Sequence, residues 1–322
     1  MSASAEGSAV APPGLSCSSV MRAAGVDPIG TAGSYDGYLL VEWPLPWPRD
    51  LSMLPELEPL TRAATAAGLR FQGLVPTDGD APRHVIAYRR TVDQPTGLLV
   101  RQEVIAEPGA VVPFALELLA SDSPSPAEAD EHRVIDVLIC THGRRDRCCG
   151  SLGTSLFQKI DAIPGRLGST VRVWRTSHTG GHRFAPTAIV LPDATAWAYL
   201  DDESLTAIVQ RSRPARDLLD HYRGCVLLDS PELQALEREV LRERDWPLID
   251  LPRSGSMRRA GVCTLTVEIG DGLEEQWVGT VETTRTLPVP ECGRPIEESK
   301  KLDRELACTS LGRVDRTEAE TR

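Results

Sequence analysis

The sequence predicts an α/β protein made of two successive βαβββα units followed by a C-terminal helix and β-hairpin. Three observations carry that expectation. Short runs rich in Val, Ile and aromatic residues alternate with stretches whose apolar residues recur at helical spacing. The same order of elements occurs twice, on either side of the polar stretch 121–132, which reads as a linker. Apolar residues make up 41% of the 322-residue chain, ample for a large core.

Residues 1–30 are small, polar and rich in Pro and Gly, and are expected to form a disordered tail. The first unit, 31–122, opens with a strand at 38–43 and a Pro-rich loop. A helix is expected near 54–67, where Leu54, Leu57, Leu60 and Ala64 share a face. Strands follow at 70–75, 84–90 and 97–104, then a helix near 112–120. The second unit, 133–228, repeats the order: a strand at 133–141, a helix near 150–162, and strands at 171–176, 187–192 and 196–200. Its last helix is expected to be capped by Asp202 and stopped by Pro214. The loops after the two opening strands share an Arg-Asp pair, Arg49-Asp50 and Arg145-Asp146. The parallel points to an ancient duplication; two unrelated α/β units are the alternative. The extension, 229–322, holds a helix with Leu233, Leu236, Val240 and Leu241, then a hairpin, 261–269 and 275–284, turning at Gly270-Asp271-Gly272. From about 293 the tail is charged and expected to fray.

The net charge of −11 argues against nucleic acid or an anionic membrane as partner, since both require a basic face. The start lacks a basic-then-apolar leader, and no apolar stretch reaches bilayer-spanning length. A cytoplasmic protein with reduced thiols is therefore expected. Of its eight cysteines, Cys140, Cys148 and Cys149 fall within ten residues. Such clustering in a reducing compartment points to metal binding or thiol chemistry rather than to a disulfide framework.

The segment CTHGRRDRCCGSLG (140–153) lies where an apolar strand gives way to a helix. A helix N-terminus and Arg144, Arg145 and Arg147 all favour thiolate, the form that binds metal. Further on, SHTGGHRFAPT (177–187) places His178 and His182 around two glycines, a tight loop in which both imidazoles can point to one centre. Pro186 precedes an apolar run. It suits the cis-proline that faces the redox loop in a thioredoxin-like fold, which would set the Cys and His loops side by side. Two thiolates and two imidazoles admit three readings: a zinc module, a thiol–disulfide oxidoreductase, or a [2Fe–2S] centre of Rieske-type ligation with a potential of roughly −150 to +300 mV.

These loops, with GTAGSYDGYLLVEWPLPWPRD (30–50) and YRGC (222–225), resemble the sucrase/ferredoxin-like family, the thioredoxin-like ferredoxins. The resemblance covers roughly residues 17–245. It implies a thioredoxin-like domain carrying a [2Fe–2S] cluster, with Cys140 and Cys149 on one iron and His178 and His182 on the other. Proton-coupled electron transfer follows, in an electron carrier rather than the catalyst of a defined reaction. Cys148 is a spare thiol beside a ligand, and His142 is expected next to the ligands or at the surface. Arg144, Arg145, Arg147, Arg172, Arg175 and Arg183 lie in a stretch, 142–183, where the acids are Asp146 and Asp161. They form either a solvated face or a basic collar that docks an acidic redox donor or acceptor. The sequence names neither partner.

Overall fold

The computed structural model describes residues 16–79, 81–90, 97–121, 134–258, 261–270, 272–291, 296–299 and 301–314. Within them the protein is mixed α/β, with one large mixed sheet and a second, smaller antiparallel sheet. The stretch expected as a linker lies almost wholly outside the described residues, as do residues 1–15.

The first half of the large sheet contains β1 (Gly37–Glu42), β2 (Leu69–Leu74), β3 (Arg83–Arg89) and β4 (Val100–Ala106). The second contains β5 (Ile135–Cys140), β6 (Val171–Thr176), β7 (Ala188–Leu191), β8 (Thr195–Trp197) and β9 (Tyr222–Cys225). Their order is β4-β3-β1-β2-β6-β5-β7-β8-β9. In each half the first two strands pair in parallel and each later one is antiparallel to its neighbour: β3 to β1 and β4 to β3, β7 to β5 and β8 to β7. The halves join antiparallel at the tips of β2 and β6, where Leu74 faces Thr176. The loops that leave β1 and β5 therefore meet, and Arg145 Nη1 lies 3.2 Å from Asp50 Oδ2.

β1 is buried along its whole length, so it reads as a continuous apolar run rather than an alternation. Leu39 and Val41 pack with Leu60 and Ala64 of α2 (Glu58–Ala66) and Val111, Ala115 and Leu118 of α3 (Val111–Ala120). Tyr38 and Leu40 turn to the other face and share the main core with Val137, Leu138 and Ile139 of β5. Buried polar bonds accompany this contact. Asp136, fully buried, accepts from the Tyr88 hydroxyl, the Trp174 indole and the Arg172 guanidinium. Arg172 also reaches Glu103 at 2.7 Å. It thus turns inward, away from the collar expected of it.

Several boundaries differ from expectation for local reasons. Cys17–Ala23 is a helix, α1, capped by Ser16 and buried at Cys17 and Met21, inside the stretch expected to be disordered. α2 starts at Glu58, after a 3₁₀ turn at Leu51–Met53 capped by Asp50 and a further turn in which the Leu57 N–H donates to the Leu54 carbonyl. The helix after β5 begins as a π-turn, Cys149–Gly153, and continues as α4 (Thr154–Asp161). α5 (Asp202–Gln210) is capped by Asp201, not Asp202. Asp201 bonds the Ser204 N–H in a capping box, and the helix ends where Arg211 turns left-handed, ahead of Pro214.

The extension carries α6 (Pro231–Arg244), the short α7 (Pro247–Asp250) and the sheet β10 (Arg253–Met257), β11 (Val262–Gly270), β12 (Leu273–Pro288) and β13 (Leu302–Val314). The tail expected to fray is thus a long strand paired with β12, tied to the core by Leu306. Beneath this sheet Arg253 Nε meets Glu237 Oε1 at 2.7 Å, and the Tyr222 hydroxyl donates to the same carboxylate, all buried. Removing one member strands the other charge in the interior. Glu237→Ala is expected to cost about 3–5 kcal/mol in chemical denaturation, and pairing it with Arg253→Met should recover much of the loss.

Candidate metal centre

The site lies where β5 and β6 end, beside the junction of the two halves. Cys140 is the last residue of β5 and Cys149 opens the π-turn, and neither exposes any surface. His178 follows β6. One ligand atom from each of Cys140, Cys149 and His178 lies within 4.8 Å of the other two, an arrangement that could hold a metal ion. His178 Nδ1 is buried and has no hydrogen-bond partner, an orphan that a metal would satisfy. The set of two sulfurs and one imidazole suits a soft or borderline metal.

The two thiols are hydrogen-bonded to each other. A hydrogen bond from Cys149 holds the Cys140 thiol well below its usual pKa against the opposing effect of burial. His178 and the Thr179 N–H contribute in the same direction. The same bond, together with burial, pushes Cys149 up. Cys140 is therefore the first thiolate of the pair.

The His loop is clamped from the first half of the sheet. Arg70 Nη2 and Gln72 Nε2 both donate to the His178 carbonyl, at 2.9 and 3.3 Å. The Ser177 N–H donates to the Gly73 carbonyl, and the Ser177 hydroxyl accepts from the Gly73 N–H and donates to Gln72 Oε1. Gly180 and Gly181 then take φ of 87° and 71°, a left-handed turn that glycine adopts without strain, and a 3₁₀ turn carries His182. The two imidazole centroids are 6.4 Å apart. His182 stands outside the close group of three: its Nδ1 faces Asp146 Oδ2 at 3.1 Å and its Nε2 faces the Pro290 carbonyl at 3.2 Å. On the other side the Ala185–Pro186 bond is cis, as the sequence reading expected, and Thr187 accepts the Cys140 N–H, so Pro186 lies alongside the Cys loop.

Cys148 is buried in a small apolar cluster with Cys17, Ala185 and Leu152, apart from the three donors. His142 is buried against Trp47, with Nε2 2.8 Å from the Pro48 carbonyl, and burial lowers its pKa. Arg144 and Arg147 are exposed. Arg145 pairs with Asp50, Arg175 lies over the Phe157 ring, and Arg183 is bound to Asp303 of β13. The collar at the surface thus reduces largely to Arg144 and Arg147. An open cleft of about 1210 Å³, lined in part by Tyr35, Arg49, Arg70, Arg145 and His142, reaches His178.

Sequence reasoning missed Asp146, the clamp of Arg70 and Gln72, the reach of Pro290 and Asp303 into the His loop, and Arg223. The last of these carried a signal: an arginine inside the apolar strand YRGC.

Residues 28–224 match the family described as sucrase/ferredoxin-like. Over 110 residues the chain is 30% identical to altered inheritance of mitochondria protein 32 from Meyerozyma guilliermondii. The match spans 32% of this chain and 39% of that relative. No solved structure matches. Among the described residues no helix is long and apolar enough to cross a membrane.

Proposed function

Because the chain belongs to the sucrase/ferredoxin-like family, we propose that it is an electron carrier whose [2Fe–2S] centre is held by Cys140, Cys149, His178 and His182. The observation that carries the proposal is the buried trio of Cys140, Cys149 and His178, with an imidazole nitrogen left unpartnered beside two thiols. His182, whose ring centroid lies 6.4 Å from that of His178, would complete the set. Such a centre supplies storage of a single electron, at a potential above that of all-thiolate plant-type centres because imidazole replaces thiolate.

The chain's own residues do the rest. Cys140 and Cys149 bring the negative charge that holds iron. Arg70, Gln72 and Ser177 orient the His loop from the first half, and this is the role we assign to that half. The strand orders β8-β7-β5-β6 and β4-β3-β1-β2 are the same arrangement drawn twice. They support a thioredoxin-like second unit and a duplicated first one that has given up its ligands. The cleft at His178, with the exposed Arg144 and Arg147 close in sequence to its lining residues His142 and Arg145, is the face we assign to an acidic redox donor or acceptor.

A preparation from cells that assemble iron–sulfur centres should be red-brown, with iron and acid-labile sulfide at the stoichiometry of one [2Fe–2S] per chain. A colourless chain holding stoichiometric zinc would replace this reading by that of a zinc module.

A further inference from the structure

We propose that Arg223 is the built-in countercharge of the centre, a buried guanidinium held under the His loop to offset the net negative charge that the centre gains on reduction. The inference rests on the reading of Cys140, Cys149, His178 and His182 given above.

Arg223 lies in β9 and is the one charged residue among the largest fully buried side chains described. A guanidinium taken out of water costs several kcal/mol unless an anion compensates it. Arg83 and Arg89, less deeply buried than Arg223, donate to backbone carbonyls, whereas Arg253 and Arg172 meet that need with carboxylates, on Glu237 and Asp136. The hydrogen bonds of Arg223 end on neutral oxygens instead. Nε donates to Thr31 Oγ1 at 3.1 Å, Nη1 to the Gly180 carbonyl at 3.3 Å, and Nη2 to the Thr31 carbonyl. Burial draws its pKa down to about 10, so it stays protonated at neutral pH. The groups that resist that pull are Tyr38, Cys149, Cys140 and Tyr35. Burial pushes the Tyr38 hydroxyl up, away from ionisation. Negative charge for Arg223 is left to the sulfurs.

The loop is shaped around this cation. A Cβ on Gly181 would sit 2.6 Å from Cζ and Nη2 of Arg223, so the guanidinium can lie there only because residue 181 has no side chain. The glycines between the histidines thus serve two ends, the turn that carries His182 and the room for the charge. Two thiolates and neutral imidazoles cancel the charge of an oxidised [2Fe–2S] core. One electron taken from a donor protein then leaves one net negative charge in the interior, beside a fixed positive one. Arg223 favours that state and raises the reduction constant.

The test is a redox titration, followed by visible absorption, of the loaded parent chain, Arg223→Gln, Arg223→Lys and Arg242→Gln, the last an exposed arginine of α6. Arg223→Gln should lower the reduction constant at least tenfold, about 59 mV for one electron. Arg223→Lys should stay within about threefold of the parent and Arg242→Gln within about twofold. A loaded Arg223→Gln chain with the parent potential overturns the countercharge and leaves the ligand reading standing. A parent chain that takes up no iron overturns both. Should Arg223→Gln fail to load, Arg223→Lys decides. It keeps the charge, so it must load and hold its potential. Failure to load, or a tenfold fall, would mean that the bonds to Thr31 and Gly180 matter rather than the charge.

Discussion

His178→Cys should keep a coloured centre and lower its potential by on the order of 100 mV, toward the roughly −400 mV of all-thiolate plant-type centres. The fold gives this substitution a clean reading. The His178 carbonyl is held by Arg70 and Gln72, and its ring makes no hydrogen bond through the buried Nδ1. Exchanging the side chain therefore leaves the loop in place and changes only the donor atom. A thiolate in place of a neutral imidazole adds one negative charge and raises the energy of the reduced state. It also removes one proton-accepting ligand, so the potential should vary less steeply with pH. His178→Ala should load poorly or not at all. His182→Cys should lower the potential as well, but it also frees Asp146 and the Pro290 carbonyl, so its stability will change with it. Potentiometry across a pH range checks all three. A potential untouched by either cysteine substitution would show that the imidazoles do not bind iron.

Gly153→Ala should destabilise the chain by about 3 kcal/mol or more and abolish uptake of the centre. A Cβ there would come 1.9 Å from the Cys140 carbonyl oxygen and 3.0 Å from its carbon. Both are backbone atoms of a strand hydrogen-bonded on either side, so no flexible side chain can yield. Overpacking of a well-packed interior costs about 1–3 kcal/mol where side chains can shift, and more where they cannot. The displaced atoms are those that set the spacing of Cys140 and Cys149. Gly109→Ala, with open space around its Cβ, is the control and should be near neutral in the same urea titration.

The parts of the site that lie close in sequence were legible from it. A strand ending in Cys140, a helix starting at Cys149 and two histidines around a Gly-Gly turn each follow from local pattern, whereas cis-Pro186 was expected from the topology of a thioredoxin-like fold. What stayed hidden depended on distance along the chain. Arg172 looked like one more base in a basic stretch until β5 and β4 brought Asp136 and Glu103 against it. The clamp on His178 is formed by residues more than a hundred positions away. β13 was obscured because charged residues flank its short alternation, and its pairing with β12 supplies most of the order that its composition does not. α1 was obscured by the small polar residues around it, although Ser16 is an ordinary N-cap. The one-residue error at Asp201 is a choice between two adjacent carboxylates that only backbone geometry decides.

Cys140 and Cys149 are wholly enclosed, with α4 and the His loop on either side of them. On the proposed reading, a scaffold delivering iron and sulfide can reach His178 through the open cleft but not the two enclosed sulfurs. Assembly has to happen while the chain is still folding, or through a breathing motion that lifts residues 177–184 off β5. A chain made without iron and folded to completion should then accept its cofactor far more slowly than one renatured in its presence.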